Sequence, residues 1–186
     1  APVEDSLVLI DDDKITYAGP RKEVPEGYEV RDASGHTVMP GLVDTHLHFS
    51  GNLTDNDNDW VIESVAQKQA CAVKQSWDAL SHGLTTVCEI GRNGIAIRDL
   101  VNMGVMEGPR IFATGLGFCR VAGHGDCHQL PQEISKNGHP WGDQVDGPWD
   151  LRKAVRRRLR ENPDAIKIWA TGGGIWRWDS DRLQLF

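Results

Sequence analysis

No run of the roughly 20 apolar residues needed to cross a bilayer occurs anywhere in this sequence, which argues against a membrane-spanning helix. Cysteine is sparse. Cys71, Cys88, Cys119 and Cys127 form no CxxC pair and no dense framework, a pattern of reduced thiols in a cytoplasmic protein, although four cysteines do not exclude a disulfide. Positive charge is in deficit: 20 Lys and Arg stand against 27 Asp and Glu, and a net charge of −7 argues against a general affinity for nucleic acid or anionic membrane. The opening Ala-Pro-Val-Glu-Asp has no initiator Met and no basic-then-apolar leader, so secretion stays open at this end.

What is present suits a folded chain. With 39% hydrophobic and 25% charged residues, 186 residues suffice for one ordinary domain or for a piece of a larger one. Tryptophan is concentrated late, at Trp141, Trp149, Trp169, Trp176 and Trp178. Such clustering suits a walled pocket or subunit contact, and ordinary core packing equally well.

Residues 1–39 read as short strands with turns. Ser6 to Ile10 and Lys14 to Ala18 flank an acidic turn and predict a hairpin, with further β segments near Tyr28 to Arg31 and His36 to Met39. This is too little chain for an independent domain, so it is expected to join strands from elsewhere. From residue 40 to 186 the rhythm is strand, helix, strand. Strands are expected at Leu42 to Phe49, Thr85 to Ile90, Arg110 to Thr114 and Ala165 to Ala170; helices at Trp60 to Leu80, Ile95 to Met103 and Leu151 to Arg160. The alternation predicts a parallel α/β architecture.

The last of those helices carries Arg152, Lys153, Arg156, Arg157, Arg158 and Arg160, with Leu151, Val155 and Leu159 at helical spacing between them. The basic residues therefore read as a solvated face. Between strand three and this helix runs a long glycine-rich segment, Gly115 to Pro148, holding His124, His128, His139 and Trp141. Loops longer than about 15 residues are usually functional or disordered, and the histidines and aromatics favour a site loop. A zinc knot from Cys119, His124, Cys127 and His128 is conceivable, but its spacing fits no common structural pattern.

The sharpest feature is Asp44-Thr45-His46-Leu47-His48. Side chains at i and i+2 of a strand face the same way, so His46 and His48 present two imidazoles together, suitable for one metal ion. Taken alone the pair also suits ordinary hydrogen bonding. Its setting, Val38-Met39-Pro40-Gly41-Leu42-Val43-Asp44-Thr45-His46-Leu47-His48, resembles the opening barrel strand of the amidohydrolase superfamily. Further matches follow in order: Gly83-Leu84-Thr85-Thr86-Val87, Gly108-Pro109-Arg110-Ile111, Gly123-His124-Gly125-Asp126 and Ala165-Ile166-Lys167-Ile168-Trp169-Ala170-Thr171-Gly172-Gly173-Gly174. The last two resemble the branch holding Xaa-Pro dipeptidases, metal-dependent carboxypeptidases and imidazolonepropionase.

The resemblance implies an α/β fold of the TIM-type (β/α)8 barrel class, of which about the first four β/α units are present, preceded by part of a small β-sandwich. It implies His46, His48 and Lys167 as metal ligands, with Lys167 carboxylated by carbon dioxide and bridging two zinc ions, and His124 as a substrate-binding residue. A lysine inside a strand is costly to bury as a cation, so its pKa should fall, and the neutral amine can then take up carbon dioxide. The alternative is a lysine that snorkels or pairs with an acid.

The implied activity is metal-dependent hydrolysis of an amide-type C–N bond through metal-activated hydroxide, on a dipeptide or N-acyl amino acid. Cyclic amides, ureas and carbamates are further candidates. A barrel of this kind needs about 250 residues. The family's remaining histidines and its proton-shuttling aspartate would lie beyond residue 186, so the chain alone is expected to be inactive. The complete protein is expected to be a homo-oligomer. The rival reading is a non-catalytic metal-binding or scaffold protein that retains the barrel sequence.

Overall fold

The computed structural model describes residues 2–52, 54, 62–135, 142–174, 178–180 and 182. The chain divides into two compact units, Ala1–Met39 and Pro40–Phe186.

In the first unit, β1 (Ser6–Asp11) and β2 (Lys14–Pro20) form an antiparallel hairpin in the register Ser6 to Pro20 through Asp11 to Lys14. Asp12 turns the chain at φ 53, a left-handed conformation that a short polar side chain tolerates. The β segments expected near Tyr28 to Arg31 and His36 to Met39 do not form. A strand exists only as a ladder, and Val30, Val38 and Met39 stay exposed with no ladder partner among the described residues.

In the second unit, β3 (Leu42–Leu47), β4 (Leu84–Glu89) and β5 (Arg110–Ala113) make a parallel sheet in that order. Two crossover helices connect them, α1 (Val65–Ser81) and α2 (Gly94–Asn102). Helix α1 begins at Val65 because Ser64 and Gln67 close a reciprocal capping box; the earlier start expected at Trp60 lies outside the described residues. Gly83 leaves the helix at φ 90, which favours glycine. Phe49, Ala72, Val87, Ile97, Ile111 and Ala113 form the core between sheet and helices.

Past β5 the strand path kinks at Gly115 and resumes as β6 (Gly117–Cys119). Strand β4 ends where Glu89 meets Ala113, and β7 (Gly142–Gln144) pairs in parallel with β6 beyond that point. The other edge of β6 receives the segment that carries Lys167. Phe118 N–H donates to the Lys167 carbonyl at 2.9 Å, and Trp169 N–H donates to the Phe118 carbonyl at 3.0 Å. The strand expected over Ala165 to Ala170 is therefore reduced to one parallel bridge, Phe118 with Ile168. Among the described residues, Phe118 offers paired backbone groups to it on this side.

The described parts of the segment from Gly115 to Pro148, residues 115–135 and 142–148, carry β6, β7 and the turn α3 (Gln132–Ser135). Buried Asp126 fastens it, accepting from Ser135 Oγ at 2.6 Å, Gln144 Nε2 at 2.8 Å and Ala122 N–H at 2.9 Å. Asp126→Ala should strand these donors and lower stability by about 2–3 kcal/mol, read from the urea midpoint. An unchanged midpoint would show that the clamp is dispensable. His139 and Trp141 lie outside the described residues.

Helix α4 (Gly147–Leu159) corrects the reading of its basic face. Leu151, Ala154 and Val155 are half-buried and Arg158 is buried, whereas Leu159 is 57% exposed. The stripe that starts at Leu151 continues i, i+3, i+4, i+7 and so lands on Arg158. Asp143, at 2.6 Å, and Glu161 meet its charge. Cys119 and Cys127 are buried, and Cys71 and Cys88 are half-buried. Among the described residues no helix is long and apolar enough to cross a membrane.

Candidate metal and substrate site

In a parallel sheet every strand ends at the same edge, and that edge gathers the polar residues here. At the end of β3, alternation turns Leu47 toward the core cluster while His46 and His48 face outward together. Their ring centroids lie 5.3 Å apart at an interplanar angle of 82°. His46 N–H donates to Asp44 Oδ1 at 2.9 Å, which fixes the backbone just before the pair. His48 keeps part of its surface open, yet the protein packed around it holds its pKa below the ordinary histidine value. A backbone hydrogen bond at Ile90 works the other way, and the proximity of His46 and Lys167 adds to the lowering. A neutral imidazole is the form that ligates a metal.

Lys167 is half-buried beside β6, and burial lowers its pKa while the Cys88 thiol pulls it back. Its segment is anchored at Asp164, which accepts from Ala113 N–H at 2.8 Å and from buried Arg98 at 2.7 Å. The Lys167 Nζ stands 5.6 Å from the Trp169 ring centroid. That indole lies on a floor of glycines: a Cβ at Gly117, Gly125 or Gly142 would come within 2.6–3.0 Å of its ring. The glycine richness of the loop thus has a packing cause.

Two residues of the site escaped the sequence reading. Glu89, at the end of β4, is fully buried and accepts Phe49 N–H and Gly91 N–H, both at 3.1 Å. Burial pushes its carboxyl up to about 7, against the hydrogen bonds from Phe49, Gly91 and Gly94. Gly91 borders both Glu89 Oε1 and His48 Nδ1, so this acid sits immediately behind the histidine pair. A charged residue inside the apolar run Thr85 to Ile90 was the available signal. The other is Asp179, whose Oδ2 lies 2.5 Å from His124 Nδ1. His124 packs edge-on to Trp169, ring centroids 6.2 Å apart, so one indole neighbours both His124 and Lys167.

The zinc knot does not form. Among the described residues no three or more His, Cys, Asp or Glu side chains converge on a metal position, and Cys119 is a buried thiol pushed up to about 12 by its surroundings. A thiol so hard to ionise makes a poor ligand.

The amidohydrolase family model matches residues 37–175. The chain belongs to the amidohydrolase family. This amidohydrolase chain is 30% identical over 203 aligned residues to ochratoxinase of Aspergillus niger, with all of the chain and 42% of the relative covered. The crystal structure of that ochratoxinase superposes with a TM-score of 0.79 at 27% identity, covering 97% of this chain and 46% of the other. A crystal structure of a prolidase complexed with N-methylphosphonate-L-proline superposes with a TM-score of 0.80 at 27% identity, covering 96% and 45%. The chain thus spans less than half the length of these relatives. Amidohydrolases generally use divalent metals. The donors present fit such ions: a close imidazole pair facing one way, one ring biased toward neutrality, with a lysine biased toward the free amine nearby.

Proposed function

We propose that the protein to which this chain belongs is a metal-dependent hydrolase of amide-type C–N bonds, acting on a dipeptide or an N-acyl amino acid. The observation that carries the reading is the outward-facing pair His46 and His48 at the end of β3, with ring centroids 5.3 Å apart. The sheet suits the first part of a TIM-type (β/α)8 barrel. Leu42, Val43, Phe112 and Ile168 expose apolar side chains that further strands and helices would cover.

In this reading His46, His48 and a carboxylated Lys167 hold two zinc ions. Ions held by these residues would supply Lewis acidity toward a carbonyl and would lower the pKa of a water toward neutrality. The chain's own residues do the rest. Glu89 fixes the backbone at Phe49, next in the chain to His48, and at Gly91, which borders the His48 ring. His124 meets the substrate carbonyl or carboxylate, and Trp169 walls the space between it and Lys167. The prolidase structure carries an N-methylphosphonate-L-proline, a dipeptide-shaped ligand, which supports a peptide-like substrate for a chain of this similarity.

The test is the double variant His46→Ala/His48→Ala in the full-length protein, assayed on Xaa-Pro dipeptides and N-acyl amino acids with metal content measured alongside. The reading expects loss of at least one metal ion per chain and a fall in kcat/KM on the order of 1,000-fold or more. Unchanged metal content and unchanged turnover would refute it.

A further inference from the structure

We infer that Asp179 is a positioning residue for His124: it holds the imidazole in the form protonated at Nδ1 and so decides what Nε2 presents to the substrate. The inference rests on the hydrolase reading only for what His124 then touches. The geometry stands independently of it.

Asp179 lies 55 positions beyond His124 and outside the span matched by the family model. Its side chain is 1% exposed, and that of His124 13%. One carboxylate oxygen, Oδ2, faces His124 Nδ1 at 2.5 Å; the other, Oδ1, accepts Gly173 N–H at 2.9 Å. A carboxylate only accepts, so the ring nitrogen facing it carries the proton. Nε2 is then an acceptor when the ring is neutral and a donor when it is charged.

The backbone is shaped around this pair. A Cβ at Gly173 would collide with the His124 ring, and one at Gly172 would collide with Ser180 and lie 2.6 Å from Asp179 Oδ1. Only glycine at both positions lets the segment after Lys167 close on His124 while Asp179 folds back beneath it. The glycine run ending the Lys167 motif thereby ties the histidine loop to the lysine segment. A residue needed solely to hold Gly173 would require one oxygen. Asp179 spends its second on the imidazole.

Asp179→Asn separates the two roles. The amide oxygen still accepts Gly173 N–H, but the amide nitrogen is a donor toward Nδ1 and forces the proton onto Nε2, the wrong tautomer for the original arrangement. The test uses the full-length, zinc-loaded protein with 15N-labelled histidine. The His124 ring signals are assigned by their loss in His124→Ala. Wild type is expected to show the Nδ1–H form and Asp179→Asn the Nε2–H form, with melting temperature and metal content retained. On the amide substrates kcat/KM should fall about 10- to 100-fold in Asp179→Asn, and His124→Ala/Asp179→Asn should be no worse than His124→Ala alone.

An Nε2–H tautomer in the wild-type protein overturns the assignment without recourse to any variant. So does a double variant whose losses multiply, which would mean that Asp179 acts apart from His124. Should wild-type protein hydrolyse none of the amides, the hydrolase reading falls, while the tautomer of the resting protein still decides the role of Asp179.

Discussion

Lys167→Ala should abolish turnover, lowering kcat/KM on the order of 1,000-fold or more, and should release metal at the same time. The cause lies in the burial of the lysine beside β6, which favours the neutral amine. A neutral amine can add carbon dioxide and lose one proton, and the carbamate anion so formed would supply oxygen donors suited to divalent ions. An ammonium group cannot do this, and neither can alanine. The measurement is kcat/KM together with metal content, for wild type and variant reconstituted with zinc in bicarbonate buffer. Wild type reconstituted after carbon dioxide has been removed should also lose activity, and should recover it when bicarbonate is returned. A variant that keeps both metals and turnover would leave Lys167 as an ordinary amine.

Glu89 should govern both the stability of the site and its pH dependence. Its carboxyl is raised from 4.5 to about 7, first by burial and in spite of hydrogen bonds from Phe49, Gly91 and Gly94. Between those two values the folded protein keeps a proton that the unfolded chain has released. Stability therefore falls as pH rises from 4.5 toward 7, by about 3 kcal/mol in all, and changes little from this source above that. Glu89→Gln should flatten the slope, because an amide does not titrate. Glu89→Ala should cost about 3–4 kcal/mol at pH 5, since it leaves a cavity and the N–H groups of Phe49, Gly91 and Gly94 without their acceptor. Urea unfolding of metal-free protein from pH 5 to 8 reads all three. A wild-type slope that survives in Glu89→Gln would assign the titration to another group.

The residues that local rules could find and those they could not divide along physical lines. His46 and His48 were legible because strand alternation alone puts i and i+2 on one face, and the structure places their rings together. The parallel β3-β4-β5 sheet was legible from the alternation of apolar β-branched runs with amphipathic ones. Arg158 was misread because six basic residues on one helix look like a solvated face. Helical phase puts the seventh residue after Leu151 against the core, and only the tertiary partners Asp143 and Glu161 make that tolerable. The shortened strand at Lys167 reflects pairing, which no single segment reveals: among the described residues, Phe118 is the one that bridges to it from β6.

Glu89 left a trace in the sequence, a carboxylate inside an otherwise apolar strand, which burial then turned into a hydrogen-bond hub. Asp179 left none. Its meeting with His124 is a long-range contact made possible by Gly172 and Gly173, and glycines in a loop carry many meanings until the atoms they make room for are placed.

The most direct measurement is a high-resolution crystal structure of the full-length protein grown with zinc and bicarbonate, with data collected on both sides of the zinc absorption edge. The expected result is branched density continuing beyond Lys167 Nζ, flanked by two anomalous peaks, one of them also within bonding distance of His46 and His48. Density ending at a bare amine, with no anomalous peak between Lys167 and the two histidines, would contradict the assignment of this edge of the sheet as a metal-dependent hydrolase site.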